Sequence, residues 1–241
     1  MLIKNPIKAD ELIIPDMHIP YHHPDMFNFI DAVRSKYKLP RGHSVKCTGD
    51  EIDHHAMSFH DSDPDLMSAG DELIKSIEYL KTLYDWFPNM DLVDGNHGSM
   101  KYRRGKHAGI PRAMLKTYNE VLEAPKGWVW HNDLTFKLPN GQKVYMTHGR
   151  SADVTKTSQH YGMCAIQGHY HEKFKIEYWG NPNELNWGLQ AGCLVDDDSL
   201  AMAYNNTNLK RPILGMAVIV DSVPHLIPMI KNKKGRWIGR I

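Results

Sequence analysis

Five short motifs in this sequence carry side chains able to ligate metals, and each follows an apolar run. Asp16-Met17-His18 comes after Leu12-Ile13-Ile14. Gly49-Asp50-Glu51-Ile52-Asp53 comes after Ser44–Thr48. Gly95-Asn96-His97 comes after Met90–Val93, His148-Gly149 after Lys143–Thr147, and Gly168-His169-Tyr170-His171 after Met163–Ile166. Brought together, Asp16, His18, Asp50, Asn96, His148, His169 and His171 offer two carboxylates, one amide oxygen and four imidazoles, with no thiolate. Mixed nitrogen and oxygen donors suit Mn, Fe, Co, Ni or Zn; Ca and Mg favour oxygen alone. Seven ligands exceed one tetrahedral site. They suit two ions about 3.5–4 Å apart that share a carboxylate. Two divalent ions, two carboxylates and a bridging hydroxide leave a net charge of about +1, which attracts an anion such as a phosphate. Water bound to such ions ionises near neutral pH and supplies a nucleophile.

Chemistry of this kind needs the five motifs at one point, so the elements between them must deliver that. The short apolar runs read as strands. In α/β sheets, loops beyond the carboxyl ends of strands gather in one crevice, and the adjacent glycines allow close backbone approach. Phe27, Ile30, Val33 and Tyr37 recur at helical spacing and predict a helix over 24–37. Leu66, Ala69, Leu73, Ile77, Leu80 and Tyr84 predict a second helix ending near Phe87, before Pro88. A weaker stripe predicts a helix over 112–122. Strands are predicted at 128–130, at 134–138 with an Asn140-Gly141 hairpin turn into 143–147, and at 173–179, 186–191, 200–204, 213–221 and 224–230. Strand and helix alternate in the first half and strands dominate the second. The fold class is therefore α/β, one domain over 1–241 with two packed sheets and helices outside.

Composition narrows the classes. The 241 residues carry 29 Lys+Arg against 28 Asp+Glu, with 41% hydrophobic and 24% charged, which excludes a wholly disordered chain. No apolar run nears the roughly 18 residues of a membrane span, and Met1 to Asp10 has no secretory core, so no membrane association is expected. Three scattered cysteines, Cys47, Cys164 and Cys193, make no disulfide framework and point to a reducing, cytoplasmic setting with buried, inert thiols.

The ordered set D-x-H, G-D-x-x-D, G-N-H, H-G and G-H-x-H resembles the calcineurin-like metallophosphoesterase superfamily, over most of the chain from Asp16 to His171. The short, uncapped chain looks most like phage and bacterial members. The resemblance implies an αββα sandwich of two sheets and a dinuclear metal-dependent phosphoesterase, with Mn first among the candidate ions and Fe, Ni, Co or Zn as alternatives. It implies that Asp16, His18 and His171 hold one ion, that Asp50 bridges, and that Asn96, His148 and His169 hold the other. His97 would face the substrate as the catalytic group, and Asp53 would hydrogen-bond His97. Gly98 stands where many members have Asp or Glu. His54, after Asp53, replaces the Arg of the protein phosphatases, which argues against that activity.

Charge placement bears on the substrate. Lys101, Arg103, Arg104, Lys106 and Arg112 follow the G-N-H motif, with no Asp or Glu from Gly95 to Asn119. Arg103 and Arg104 are the candidates for a substrate phosphate, so the partner is a phosphoester: DNA, RNA or a nucleotide. Lys231, Lys233, Lys234, Arg236 and Arg240 read as a basic C-terminal tail at 231–241. Tyr21, Tyr102, Tyr161 and Tyr170 could stack bases, although packing is the simpler role for each and for Trp128 and Trp130. His22, His23, His54, His55 and His60 read mainly as polar loop residues, and Asp61–Asp65 and Asp196–Asp198 as solvated acidic loops. The leading function is a nuclease or phosphodiesterase. A phosphomonoesterase of the same fold is the first alternative, and a non-catalytic scaffold the second. The sequence leaves the oligomeric state open.

Overall fold

The structure, a computed structural model, describes residues 8–40, 42–59, 63–205 and 210–241. Met1–Ile7, His60 and Asp61, which figure in the sequence analysis, lie outside them. The chain runs β1 (Glu11–Ile14), α1 (Met26–Lys36), β2 (Val45–Cys47), α2 (Ala69–Trp86) and β3 (Asn89–Val93). It continues through α3 (Met100–His107), α4 (Tyr118–Leu122), β4 (Gly127–His131), β5 (Leu134–Lys137), β6 (Lys143–Thr147) and α5 (Val154–Tyr161). It closes with β7 (Cys164–Gln167), β8 (Phe174–Gly180), β9 (Leu185–Ala191), β10 (Gly215–Val220) and β11 (Val223–Pro228). A six-stranded sheet has the order β11-β10-β1-β2-β3-β4, and a five-stranded sheet the order β5-β6-β7-β9-β8. Both are mixed: β1 to β4 run parallel, as do β6, β7 and β9, with antiparallel strands outside. The fold is an α/β sandwich, as the sequence predicts at that level.

Side-chain alternation along the strands divides the core. Leu12 and Ile14 of β1, with Met216 and Val218 of β10, face a large cluster with Met26, Phe29, Ile30 and Val33 of α1 and Leu80 and Leu83 of α2. Ile13, Val93, Ala217 and Ile219 face the other way, onto Val144, Met146, Ile166 and Leu189 of the second sheet. Each such side chain removed from water contributes about 1.5–3 kcal/mol. On the far side of the second sheet, α5 packs on β7 and β9. Ser68 caps α2 by accepting from the Asp71 amide, and Thr117 and Glu120 form a capping box on α4. No helix among the described residues is long and apolar enough to cross a membrane. All three cysteines are buried free thiols, and burial pushes their pKa values up.

Several expectations need correction. The stretch 112–122 is a 3-10 turn at Arg112–Met114 followed by the short α4, and 200–204 is a 3-10 turn, Leu200–Asn205, instead of a strand. Two helices were not predicted. Helix α3, MKYRRGKH, is too polar to show an apolar stripe, and α5 buries Thr155, Thr157 and Ser158 where a stripe would have apolar residues.

The basic C-terminus is docked on the body of the protein. Arg236 pairs in a fork with Asp25, and the Trp237 amide donates to the same carboxylate at 3.0 Å. The Trp237 ring packs edge-on to Phe29, His23 Nε2 donates to the Gly235 carbonyl at 2.9 Å, and Lys231 pairs with Asp197. The Arg236 hydrogen bonds lead the causes that hold the Asp25 carboxyl down to about 2. An unfolded Asp titrates near about 3.9, so the contribution is complete above that pH and is lost as pH falls through about 2. Asp25→Asn should therefore lower the melting temperature at pH 7, and its deficit should shrink between about pH 4 and pH 2. A deficit constant over that range in thermal melts would show that this ion pair does not fasten the C-terminus.

Candidate metal centre

The first two motif loops are knitted by the backbone: the Met17 and His18 amides both donate to the Asp50 carbonyl, at 3.1 and 2.9 Å. Because β1, β2 and β3 are parallel neighbours, their carboxyl ends bring Asp16, His18, Asp50 and Asn96 to one edge of the six-stranded sheet. The parallel pair β6 and β7 brings His148, His169 and His171 from the five-stranded sheet to the same place. Glycine is required where these loops touch. A Cβ on Gly95 would overlap Asp50 Oδ1 and stand 2.6 Å from the Asp50 amide nitrogen; one on Gly168 would overlap Asp16 Oδ1.

The seven side chains converge. Ligating atoms of Asp16, His18 and His171 lie within 4.8 Å of one another, as do those of Asp50, His148 and His169. Asn96 Oδ1 joins the second group, 2.8 Å from His148 Nε2 and 2.9 Å from His169 Nδ1. Asp50 Oδ2 lies 3.0 Å from His148 Nε2 and 3.8 Å from His18 Nε2, so this carboxylate sits between the two groups. Asp16 Oδ2 accepts from the His169 amide at 2.6 Å and lies 3.4 Å from His171 Nε2, while Oδ1 accepts from Thr48 Oγ1 at 2.7 Å.

Hydrogen bonds on the outer ring nitrogens set the tautomers. His148 Nδ1 donates to the Thr48 carbonyl at 2.9 Å, and His18 Nδ1 donates to Asp53 Oδ2 at 2.7 Å. Their Nε2 atoms face the centre, and a histidine whose other nitrogen is so engaged is a well-oriented ligand. His18 Nε2 is buried without a hydrogen-bond partner among the described residues. Leaving such an atom unpaired costs about 1–3 kcal/mol, which a cation would relieve.

His18, Asp50 and His169 also have positive φ, at 51°, 46° and 69°. Non-glycine residues held there cost on the order of 1–3 kcal/mol each. Such strain persists only where surrounding contacts fix the backbone, and here it falls on three of the seven converging residues.

Electrostatics favour a cation at this point. Burial would raise the Asp16 and Asp50 pKa values. His148 foremost, with His171 beside Asp16 and His97 and His18 beside Asp50, outweighs it, so Asp16 is lowered and Asp50 lies well below the ordinary range. Burial opposes charge on His148, yet Asp50 and Asp16 raise it to about 10. Burial followed by the His97 charge lowers His18, and burial followed by the His148 charge lowers His169, which favours neutral imidazoles. Metal binding would release the proton that His148 holds between these carboxylates.

Around the centre, the expected hydrogen bond between Asp53 and His97 is present, and Arg104 departs from the sequence reading. Asp53 does not hydrogen-bond His97 through its carboxylate. That group orients His18, and it is the Asp53 carbonyl that accepts from His97 Nδ1, at 2.5 Å. The nearer Asp53 carboxylate oxygen is 3.7 Å from His97 Nδ1. Arg104 is turned away from a substrate role: its guanidinium donates to the Met57 carbonyl at 2.8 Å and to the Ser58 carbonyl, and lies over Phe59. Arg103 is exposed, also over Phe59. His97 donates its amide to Asp50 Oδ1 at 2.9 Å and packs edge-on to His18, with ring centroids 4.5 Å apart. Burial lowers its pKa, but Asp50 and Asp53 prevail and the net shift is upward. Among the other histidines, His22 is buried between Phe27 and Tyr79, and His23 accepts from the Asp25 amide.

Compared with models of known protein families and with curated proteins, the chain matches none.

Proposed function

We propose that this chain is a dinuclear metal-dependent phosphoesterase with a sandwich of the metallophosphoesterase type, hydrolysing phosphodiester bonds of a nucleotide or nucleic acid. The carrying observation is the convergence of seven donors from five separate loops into two groups with Asp50 between them. Divalent transition-metal ions held there, with Mn first among the candidates, supply a Lewis acid for the phosphoryl oxygens and an acidified water.

The chain's own groups do the rest. Asp16 and Asp50 provide fixed negative charge, while His18 and His148 present oriented Nε2 atoms. His97, held through Nδ1 by the Asp53 carbonyl, keeps Nε2 for the substrate. Protonated at Nε2, it would donate that proton to the departing ester oxygen.

Metal analysis of the purified protein, paired with hydrolysis of bis(4-nitrophenyl) phosphate and 4-nitrophenyl phosphate in Mn²⁺, tests this reading. Two ions per chain and faster diester cleavage are expected. Faster monoester cleavage would make it a phosphomonoesterase, and hydrolysis of neither ester with both sites filled would make it a non-catalytic scaffold. His97→Ala should lower turnover by about 10²–10⁴-fold with metal content unchanged. His97 also lies within 4.8 Å ligand reach of His18 and Asp50, so loss of metal together with turnover would assign it to ligation.

A further inference from the structure

A cavity of about 330 Å³ runs along β4, from Lys126 before its amino end to Asn132 beyond its carboxyl end, and reaches Asp94 just after β3. Its lining includes Asp94, Tyr102, Arg112, Tyr118, Lys126 and Trp130. It adjoins the metal loop directly. Asp94 immediately precedes Gly95-Asn96-His97, and a Cβ on Gly98 would stand 3.1 Å from the Tyr118 hydroxyl. Gly98 therefore lies behind Tyr118 in the cavity wall.

The lining combines aromatic surface with charge. Tyr118 and Trp130 stack with centroids 5.3 Å apart and planes at 19°, and Tyr102 meets Tyr118 edge-on at 5.6 Å. The buried Tyr118 is pinned by its hydroxyl, which donates to Asp94 Oδ1 at 2.8 Å. Tyr102 and Trp130 are only partly buried, so both offer ring surface to the cavity. Arg112 is exposed with its guanidinium 4.4 Å from the Tyr102 ring centre, and Lys126 is exposed. No ion pair engages Arg112 or Lys126 among the described residues. Asp94 stands among them as a hydrogen-bond acceptor.

We propose that this cavity takes the nucleoside moiety of the substrate, its base against Tyr102 and Trp130 and its phosphate side towards Arg112 and the metal loop. The ligand class deepens the phosphoesterase reading of the centre and rests on it for its role in turnover. Flat aromatic faces suit any base, and stacking on them is worth about 1–3 kcal/mol. Asp94 can accept from a ring N–H or exocyclic amino group, which favours bases that donate there. The Arg112 guanidinium suits a phosphate.

Calorimetric titration of the protein as purified tests this, using hydrolysis-resistant phosphonate analogues of the four nucleoside 5′-monophosphates and of ribose 5-phosphate. The nucleoside analogues should bind at least about tenfold more tightly than the ribose analogue. Tyr102→Leu should remove most of that difference, about 5- to 100-fold. Because Tyr102 also packs on Tyr118, the exposed Arg112→Gln is a second variant, expected to weaken binding and flatten its salt dependence. Equal binding of ribose and nucleoside analogues overturns the proposal, as does unchanged affinity in both variants. If the nitrophenyl esters are not cleaved yet base-dependent binding persists, the phosphoesterase reading falls and the ligand class stands. If they are cleaved but base-dependent binding is absent, the pocket assignment falls alone.

Discussion

Asp50→Asn should cut phosphodiester hydrolysis by on the order of 10³-fold and reduce bound metal from about two equivalents to about one or fewer. Both oxygens of this buried carboxylate are committed: Oδ1 accepts the His97 amide, and Oδ2 stands 3.0 Å from His148 Nε2 and 3.8 Å from His18 Nε2. An amide of the same shape must turn its NH₂ towards either the His97 N–H or the protonated His148 Nε2. Each orientation sets a donor where an acceptor is required. One of the two carboxylates that the described residues bring to the centre, Asp16 and Asp50, is also lost, so two divalent ions face half the compensating charge. Elemental analysis and turnover should fall together, with the circular dichroism spectrum retained. An Asn variant that keeps native metal content and rate would remove Asp50 from the bridging position and the dinuclear proposal with it.

Gly95→Ala should do comparable damage without touching a ligand. The added methyl would overlap Asp50 Oδ1 and lie 2.6 Å from its amide nitrogen and 2.7 Å from its Cγ. Backbone cannot yield as a flexible side chain would, so the β2 and β3 loops must separate, carrying Asp50 away from Asn96 and His97. Overpacking of this kind costs about 1–3 kcal/mol, and each kcal/mol lowers the melting temperature of a chain this size by about 2–4 °C. The larger loss is in metal affinity and rate, because small displacements of ligating groups are costly. Gly70→Ala is the control: it lies in the first turns of α2 with nothing nearer than 4.0 Å to the new methyl, and should be neutral or stabilising. Native activity in Gly95→Ala would mean that the loops can separate without disturbing the centre.

The positions of the converging residues were legible because they follow apolar strands and four of them, Asp50, Asn96, His148 and His169, adjoin a glycine, a local pattern. Their partners were not, because hydrogen bonds across the fold leave no periodic trace. The resemblance implies that Asp53 and His97 meet, but it does not say that the carbonyl and not the carboxylate faces His97. Arg104 reads as a free cation in a basic run, whereas its acceptors are the main-chain carbonyls of residues 57 and 58. Arg236 reads as tail until Asp25, 211 positions away, is seen beside it. Helices α1 and α2 carry apolar stripes and were predicted. Helix α3 lies at the surface with a polar sequence, and α5 covers its sheet with hydroxyl side chains, so neither has the periodicity that betrays a buried face.

Donors at the centre come from both layers: Asp16, His18, Asp50 and Asn96 from one sheet, His148, His169 and His171 from the other. An ion seated there would act as a rivet through the two layers. By linkage, whatever tightens the seam between them would also tighten the grip on the ion, and a substitution deep in that seam, remote from any ligand, could starve the protein of its cofactor.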